Sequence, residues 1–262
     1  MTDLDLILSA THEGASIALR HWRNDPEVEE KPDGQGPVSE ADLAVDAHLR
    51  TRLTEARPEA AWLSEETPDD GRRHEARDCF VVDPIDGTRA FIAGERSWGL
   101  SVALVRDGRP AAAVVHMPAR GLIYAAARGR GATLERVPTP EGGTAAPPAP
   151  IRIAAPSSPP SLLANRGSLR ADRWPRGVPP HEHHFRSSIA YRICLVAYGR
   201  FDAMLTLYPT WFWDVAAGVL IAEEAGARVT DAAGAGPLFA GEVPQLDGLV
   251  VAPPEIHGTL LP

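Results

Sequence analysis

Apolar positions change their spacing along the chain, and each spacing predicts a different kind of element. Leu4, Leu8, Thr11, Ala15, Ala18, Leu19 and Trp22 recur every three or four residues, the spacing of an amphipathic helix with one core face that ends before Pro26. The polar stretch Lys31-Pro32-Asp33-Gly34-Gln35-Gly36-Pro37 can propagate neither a helix nor a central strand and reads as a loop. Ser39-Glu40-Ala41-Asp42 then looks like a capping box. Val45, Leu49, Leu53 and Ala56 carry a second helical face to about Arg57.

From Cys79 to Arg128 the pattern shifts to short runs of Val, Ala and Leu between Gly turns. It predicts strands at 79–82, 99–105, 110–117 and 122–127 in a mostly antiparallel meander. The segment from Val137 to Ser161 is dense in Pro, Gly, Ala and Thr and holds little core material beyond Ile151-Arg152-Ile153. A lobe boundary is expected there, between an N-terminal α+β lobe over 1–150 and a C-terminal α/β lobe over 151–262. In the second lobe, 188–198 is helical, 201–207 reads as a strand, and 214–225 is an apolar helix stopped by Gly226.

Composition narrows the class. The 262 residues are 44% apolar and 23% charged, which is ordinary for a globular chain. Twenty-six basic against thirty-five acidic side chains leave a net charge of −9, which argues against nucleic acid as a partner. Cys79 and Cys194 both lie in apolar runs, as expected for buried free thiols in a reducing, cytoplasmic setting. No apolar run is long enough for a membrane span, and the acidic start does not resemble a signal peptide.

The sharpest chemical feature is Asp83-Pro84-Ile85-Asp86-Gly87-Thr88 at a strand end. Two carboxylates so close together suit a hard cation such as Mg²⁺, and the amides of Gly87 and Thr88 suit an anion. The same residue types are also the commonest turn formers. Glu65 and Glu66, followed by Asp69 and Asp70, read by themselves as a solvated loop, while Asp42 and Asp214 each have a second reading as helix caps. His181, His183 and His184 are spaced closely enough for a transition metal, but a solvated turn fits them better.

Taken together, Lys31, Ser39 to Asp42, Ser64-Glu65, the segment 83–88 and Trp213-Asp214-Val215-Ala216-Ala217-Gly218 resemble the signature segments of the inositol monophosphatase family, in order and over nearly the whole chain. The resemblance implies an α/β fold, a layered αβαβα sandwich. It also implies a Mg²⁺-dependent, lithium-sensitive type of phosphatase with two or three ions, usually a homodimer acting on a small phosphorylated metabolite. It places one metal on Glu65, Asp83 and the Ile85 carbonyl, and a second on Asp83, Asp86 and Asp214. A third site would be held by Glu65, with Asp42 nearby through water. Thr88, hydrogen-bonded toward Glu65, would orient the attacking water, so that Glu65, Thr88 and Asp42 form the catalytic set. Gly87, Thr88, Arg192 and Asp214 would meet the substrate.

The substrate is a further expectation. Inositol-hydrolysing relatives often carry an acid seven positions before the aspartate of the Trp-Asp pair, and here that position is Leu207. Tyr208-Pro209-Thr210 resembles the 3'(2'),5'-bisphosphate nucleotidase branch. There Arg192 could pair with a second phosphate and Trp211 could stack on adenine. 3'-Phosphoadenosine 5'-phosphate is therefore preferred. Inositol 1-phosphate is the alternative, and a silent phosphate-binding relative or a carbohydrate bisphosphatase stands behind it.

Overall fold

The computed structural model describes residues 1–31 and 36–262, so the Pro32 to Gln35 part of the expected loop lies outside the described residues. Helix α1 (Asp3–His21) starts on a Thr2 cap whose hydroxyl accepts the Asp5 amide at 3.2 Å, while the Asp5 carboxylate accepts the Thr2 amide at 3.0 Å. A short antiparallel ribbon, β1 (Val28–Glu30) with β2 (Pro37–Ser39), leads into α2 (Glu40–Ala56), and Ser39 with Asp42 closes the capping box there.

The chain then builds β3 (Ala61–Ser64), β4 (Asp78–Asp86), the short α3 (Thr88–Ile92), β5 (Gly99–Arg106), β6 (Arg109–Met117), β7 (Leu122–Ala127), β8 (Ala132–Arg136) and β9 (Ala146–Ile151). These strands form a seven-stranded sheet in chain order, parallel only between β3 and β4. β9 differs from the expectation of a core-poor connection. With Pro147, Pro148 and Pro150 it pairs through one side only, as the sheet edge, where missing amides cost no ladder bond.

The remainder supplies β10 (Ser161–Ala164), β11 (Glu182–His184), α4 (Ile189–Ala197), β12 (Ala203–Trp211), α5 (Phe212–Glu224), β13 (Arg228–Thr230), β14 (Gln245–Ala252) and α6 (Pro254–His257). Its five strands run in the order β11-β10-β12-β14-β13. β11 contradicts the turn expected around the histidines. The His183 ring lies 2.8 Å from the Ala164 carbonyl oxygen, and the three imidazoles are held as parts of an edge strand and its approach rather than converging.

Three buried apolar clusters fix the layers. Leu6, Ile7, Val45 and Leu49 of α1 and α2 pack on Phe80, Leu100 and Val102 of the first sheet. The other face of that sheet, with Val81, Ala103 and Val115, meets Ile193, Val219 and Leu220 of α4 and α5. Those helices bury their far side against Met204, Leu249 and Val251 of the second sheet. Leu162, Leu205 and Val250 then face Trp174 and Leu260 on the outside. The result is the expected αβαβα order, with α4 and α5 as a layer common to both sheets. Gly218 lets them pack closely, since a Cβ there would sit 2.9 Å from Ile193 Cδ1. Cys79 and Cys194 are buried and free.

Candidate active site

Four chain segments meet where β3 and β4 end. Parallel pairing continues one residue past β3, where the Glu65 amide donates to the Val82 carbonyl at 3.2 Å and brings Glu65 beside Asp83. β4 runs on through Pro84 to Asp86, longer than the run of apolar residues predicts, with its register shifting between Asp83 and Asp86. Asp214 enters from the first turn of α5, which begins at Phe212 rather than at Asp214 itself. One carboxylate oxygen from each of Glu65, Asp83 and Asp214 lies within 4.8 Å of the others.

This convergence opposes itself electrostatically. Burial pushes Asp83 well above the usual carboxylate range, and the charges of Glu65, Asp86, Asp214 and Asp42 add to the shift. Burial likewise raises Asp214, reinforced by Asp86 and Glu65 and opposed by Arg192 and the Trp211 amide. Oxygen donors packed this closely fit a hard divalent cation, whose charge would remove the repulsion. Glu65, Asp83 and Asp214 could hold it.

Asp86 lies outside that triad. Its carboxylate accepts the Ser188 hydroxyl and the Ala190 amide, at 2.7 Å for the latter, and the Ile189 amide at 3.2 Å. It therefore ties the loop after β4 to the start of α4. Burial pushes it up to about 6 despite these donors. The Ile85 amide donates to Asp83 at 3.0 Å, and the Ile85 carbonyl lies 3.1 Å from the Thr88 hydroxyl. Thr88 does not bond to Glu65, contrary to expectation. Its Oγ1 reaches Asp42 Oδ1 at 3.2 Å, because Asp42, fixed by the Ser39 amide at 2.9 Å, projects from the first turn of α2 toward it. Burial raises Asp42 to about 6. Gly87 holds φ +97° as the cap of α3, and a Cβ there would lie 2.9 Å from the Ser97 carbonyl oxygen, so only glycine makes this turn.

Lys31 and Glu66 carry more than their sequence context indicates. Lys31 Nζ donates to Glu65 and Glu66, at 2.7 Å each, with only 9% of its side chain exposed. Burial works against that ammonium, but the two glutamates outweigh it and its pKa is raised. Glu66 is pushed up to about 7 by burial despite Lys31, so it is no solvated loop residue. Asp69 does behave as a loop residue, paired with Arg73. Nothing in the pairing of apolar Trp62-Leu63 with two glutamates marks which of them turns inward.

Glu65 lines two cavities. One, of about 390 Å³, also contains Gly87, Thr88, Phe185 and Ser187. The other, of about 530 Å³, is walled by Lys31, Trp211, Trp213 and Pro244. The Trp211 and Trp213 rings stack at 4.7 Å and 8°, so Trp213 belongs to the same wall as the expected Trp211.

Arg192 is buried on α4 rather than paired at the surface. Its Nη1 has no hydrogen-bond partner among the described residues, and burial lowers its pKa against the pull of Asp86 and Asp214. Leu207 packs outward with the Trp174 cluster, while Met204 of the same strand faces α4 and α5. Strand alternation therefore puts Thr206, and not Leu207, on the inward side, and the β-bulge between Thr206 and Pro209 displaces the count from Asp214.

The inositol monophosphatase family model matches residues 4–262. Over 91% of this chain and 90% of the relative, it is 38% identical to a Streptomyces griseus protein named glucose-1-phosphate thymidylyltransferase. It is 31% identical to the 3'(2'),5'-bisphosphate nucleotidase CysQ of Escherichia coli (74% and 76% covered), and 34% identical to the inositol-1-monophosphatase of Rhizobium meliloti (79% and 76%). In three dimensions it matches the IMPase of Thermotoga maritima with a TM-score of 0.80 at 23% identity, covering 100% of this chain and 96% of the other.

Proposed function

Because the chain belongs to the inositol monophosphatase family and is a phosphatase, we propose that it hydrolyses the 3'-phosphate of 3'-phosphoadenosine 5'-phosphate, as a 3'(2'),5'-bisphosphate nucleotidase. The carrying observation is Arg192. A buried guanidinium is ordinarily matched by carboxylates, here Asp86 and Asp214. With those carboxylates neutralised by cations, its charge and its unpartnered Nη1 are left for a second substrate phosphate, which a monophosphate of inositol does not bring. The stacked Trp211 and Trp213 beside Glu65 offer a flat apolar face of the kind a nucleobase takes.

In this reading Glu65, Asp83, Asp214 and the Ile85 carbonyl hold two or three Mg²⁺ ions, with Asp86 as a further donor. Bound Mg²⁺ supplies charge neutralisation and Lewis acidity to the phosphoryl group and its attacking water. Thr88 Oγ1 passes its proton to Asp42 Oδ1 while accepting one from the attacking water, and the raised pKa of Asp42 suits it to receive that proton. Gly87 lets the backbone approach the phosphate, Asp86 holds α4 and Arg192 in place, and Lys31 fixes the rotamer of Glu65.

Inositol 1-phosphate is the second reading, favoured by the Thr206 hydroxyl on the inward face of β12 and by the Rhizobium meliloti relative. Comparing kcat/KM for the two esters in Mg²⁺ separates them. At least a tenfold preference for the bisphosphate is expected, and Arg192→Gln should erase it by lowering only the bisphosphate value. A tenfold preference for inositol 1-phosphate would overturn the assignment.

A further inference from the structure

A cavity of about 550 Å³ lies beside α4, lined by Arg120, Arg186 and Arg200 together with Ser97, Tyr191 and Phe201. It has the volume of a small-molecule site. Among the described residues, three guanidinium groups border it and no carboxylate does. None of the three takes part in an ion pair among the described residues. In a chain of net charge −9, three uncompensated cations on one concavity reverse the local field.

Two of the arginines are held in place, while Arg200 is exposed at the cavity. Arg120 rests its guanidinium 5.1 Å from the centre of the Tyr191 ring and donates through Nη2 to the Ser97 hydroxyl at 3.1 Å. Its Nε is buried and has no partner among the described residues. Arg186 stands 5.6 Å from the Phe201 ring and donates to the Phe185 carbonyl at 2.6 Å. A buried N–H donor left unsatisfied forfeits its solvation without a replacement, and several guanidinium groups round one space match the many acceptor oxygens of a phosphate better than a single carboxylate.

We propose that this cavity is a second phosphate-binding site, for the phosphate group of a small metabolite, separate from the active site and independent of which ester is hydrolysed there. The two sites are lined by different residues but by neighbouring ones, Arg186 of this cavity lying between Phe185 and Ser187 of the other. The Ser97 carbonyl packs against Gly87, and Arg186 lies two residues before Ser188, the donor to Asp86. A phosphate held by Arg120, Arg186 and Arg200 would brace both supports of the loop after β4.

The test is calorimetric titration of the Mg²⁺-loaded protein with inorganic phosphate. The expected result is two phosphates per chain. Arg120→Gln/Arg200→Gln should remove one or weaken it at least tenfold, leaving phosphatase activity in phosphate-free buffer intact, and Asp83→Asn should remove only the other. Intact activity also shows that the double variant folds. A single phosphate per chain that Asp83→Asn abolishes would overturn the proposal, as would a second phosphate that survives the double substitution.

Discussion

Asp42 serves twice, as the reciprocal partner of Ser39 in a capping box and as the acceptor facing Thr88, and the two duties are separable by substitution. Thr88→Ala should lower kcat by about 10²–10⁴ with little change in KM, while Thr88→Ser restores most of the rate, because only the hydroxyl is needed. A rise in KM alone would make Thr88 a phosphate-binding residue and nothing more. Asp83→Asn should abolish turnover. The same change removes one charge from a crowded triad, so melting in a chelator should shift upward relative to the parent, while the stabilisation by Mg²⁺ shrinks. At this scale the carboxylates at 65, 83 and 214 were legible because each follows a strand or opens a helix in a recognisable motif. The direction of Glu66, the partner of Thr88 and the inward position of Thr206 were not, because each depends on a rotamer or a bulge set by tertiary packing.

Helices α4 and α5 show how an element is specified by its surroundings. Ser188 caps α4 by accepting the Tyr191 amide at 2.9 Å and also donates to Asp86, so Ser188→Ala should cost about 1–2 kcal/mol in urea unfolding and lower activity as Asp86 loosens. Unchanged activity would separate the cap from the site. The four central strands of the seven-stranded sheet, β4 to β7, were legible through alternation and Gly turns, and α1 and α2 through helical spacing. The strands that escaped include β9, masked by its prolines, the short β1, β2, β3, β8, β10, β11 and β13, of three to five residues each, which carry too little alternation to register and owe their pairing to neighbours already in place, and also β14, which runs between its two partners in the second sheet. The same dependence lets β12 run on to Trp211, four residues past the last apolar alternation, since β14 pairs with it beyond the bulge.

For the whole molecule, pH acts through burial. His116, enclosed between α1 and the first sheet beside His12, is pushed down to about 3 by burial and by that neighbouring ring, against the opposing effect of the Thr11 backbone carbonyl. The unfolded chain takes up a proton below about pH 6.5 that the folded one refuses, so stability falls with pH by about 1.4 kcal/mol per unit until the folded group titrates. Between pH 7 and pH 5 that amounts to about 2 kcal/mol. The fall of the urea midpoint between pH 7 and pH 5, measured in Mg²⁺, should be smaller for His116→Leu than for the parent, and parallel profiles would remove His116 from the pH response.

Since α4 and α5 cover an apolar face of each sheet at once, the backbone joining the two halves contributes little to holding them together. The exposed connection after Ile151, through Ser157 and Pro159, is the place to see this. A chain cut there by a protease should keep its two pieces associated through gel filtration and retain phosphatase activity, and the pieces expressed separately should reassemble on mixing. Each alone would present to water the face its partner covers, and should aggregate or require the other for solubility.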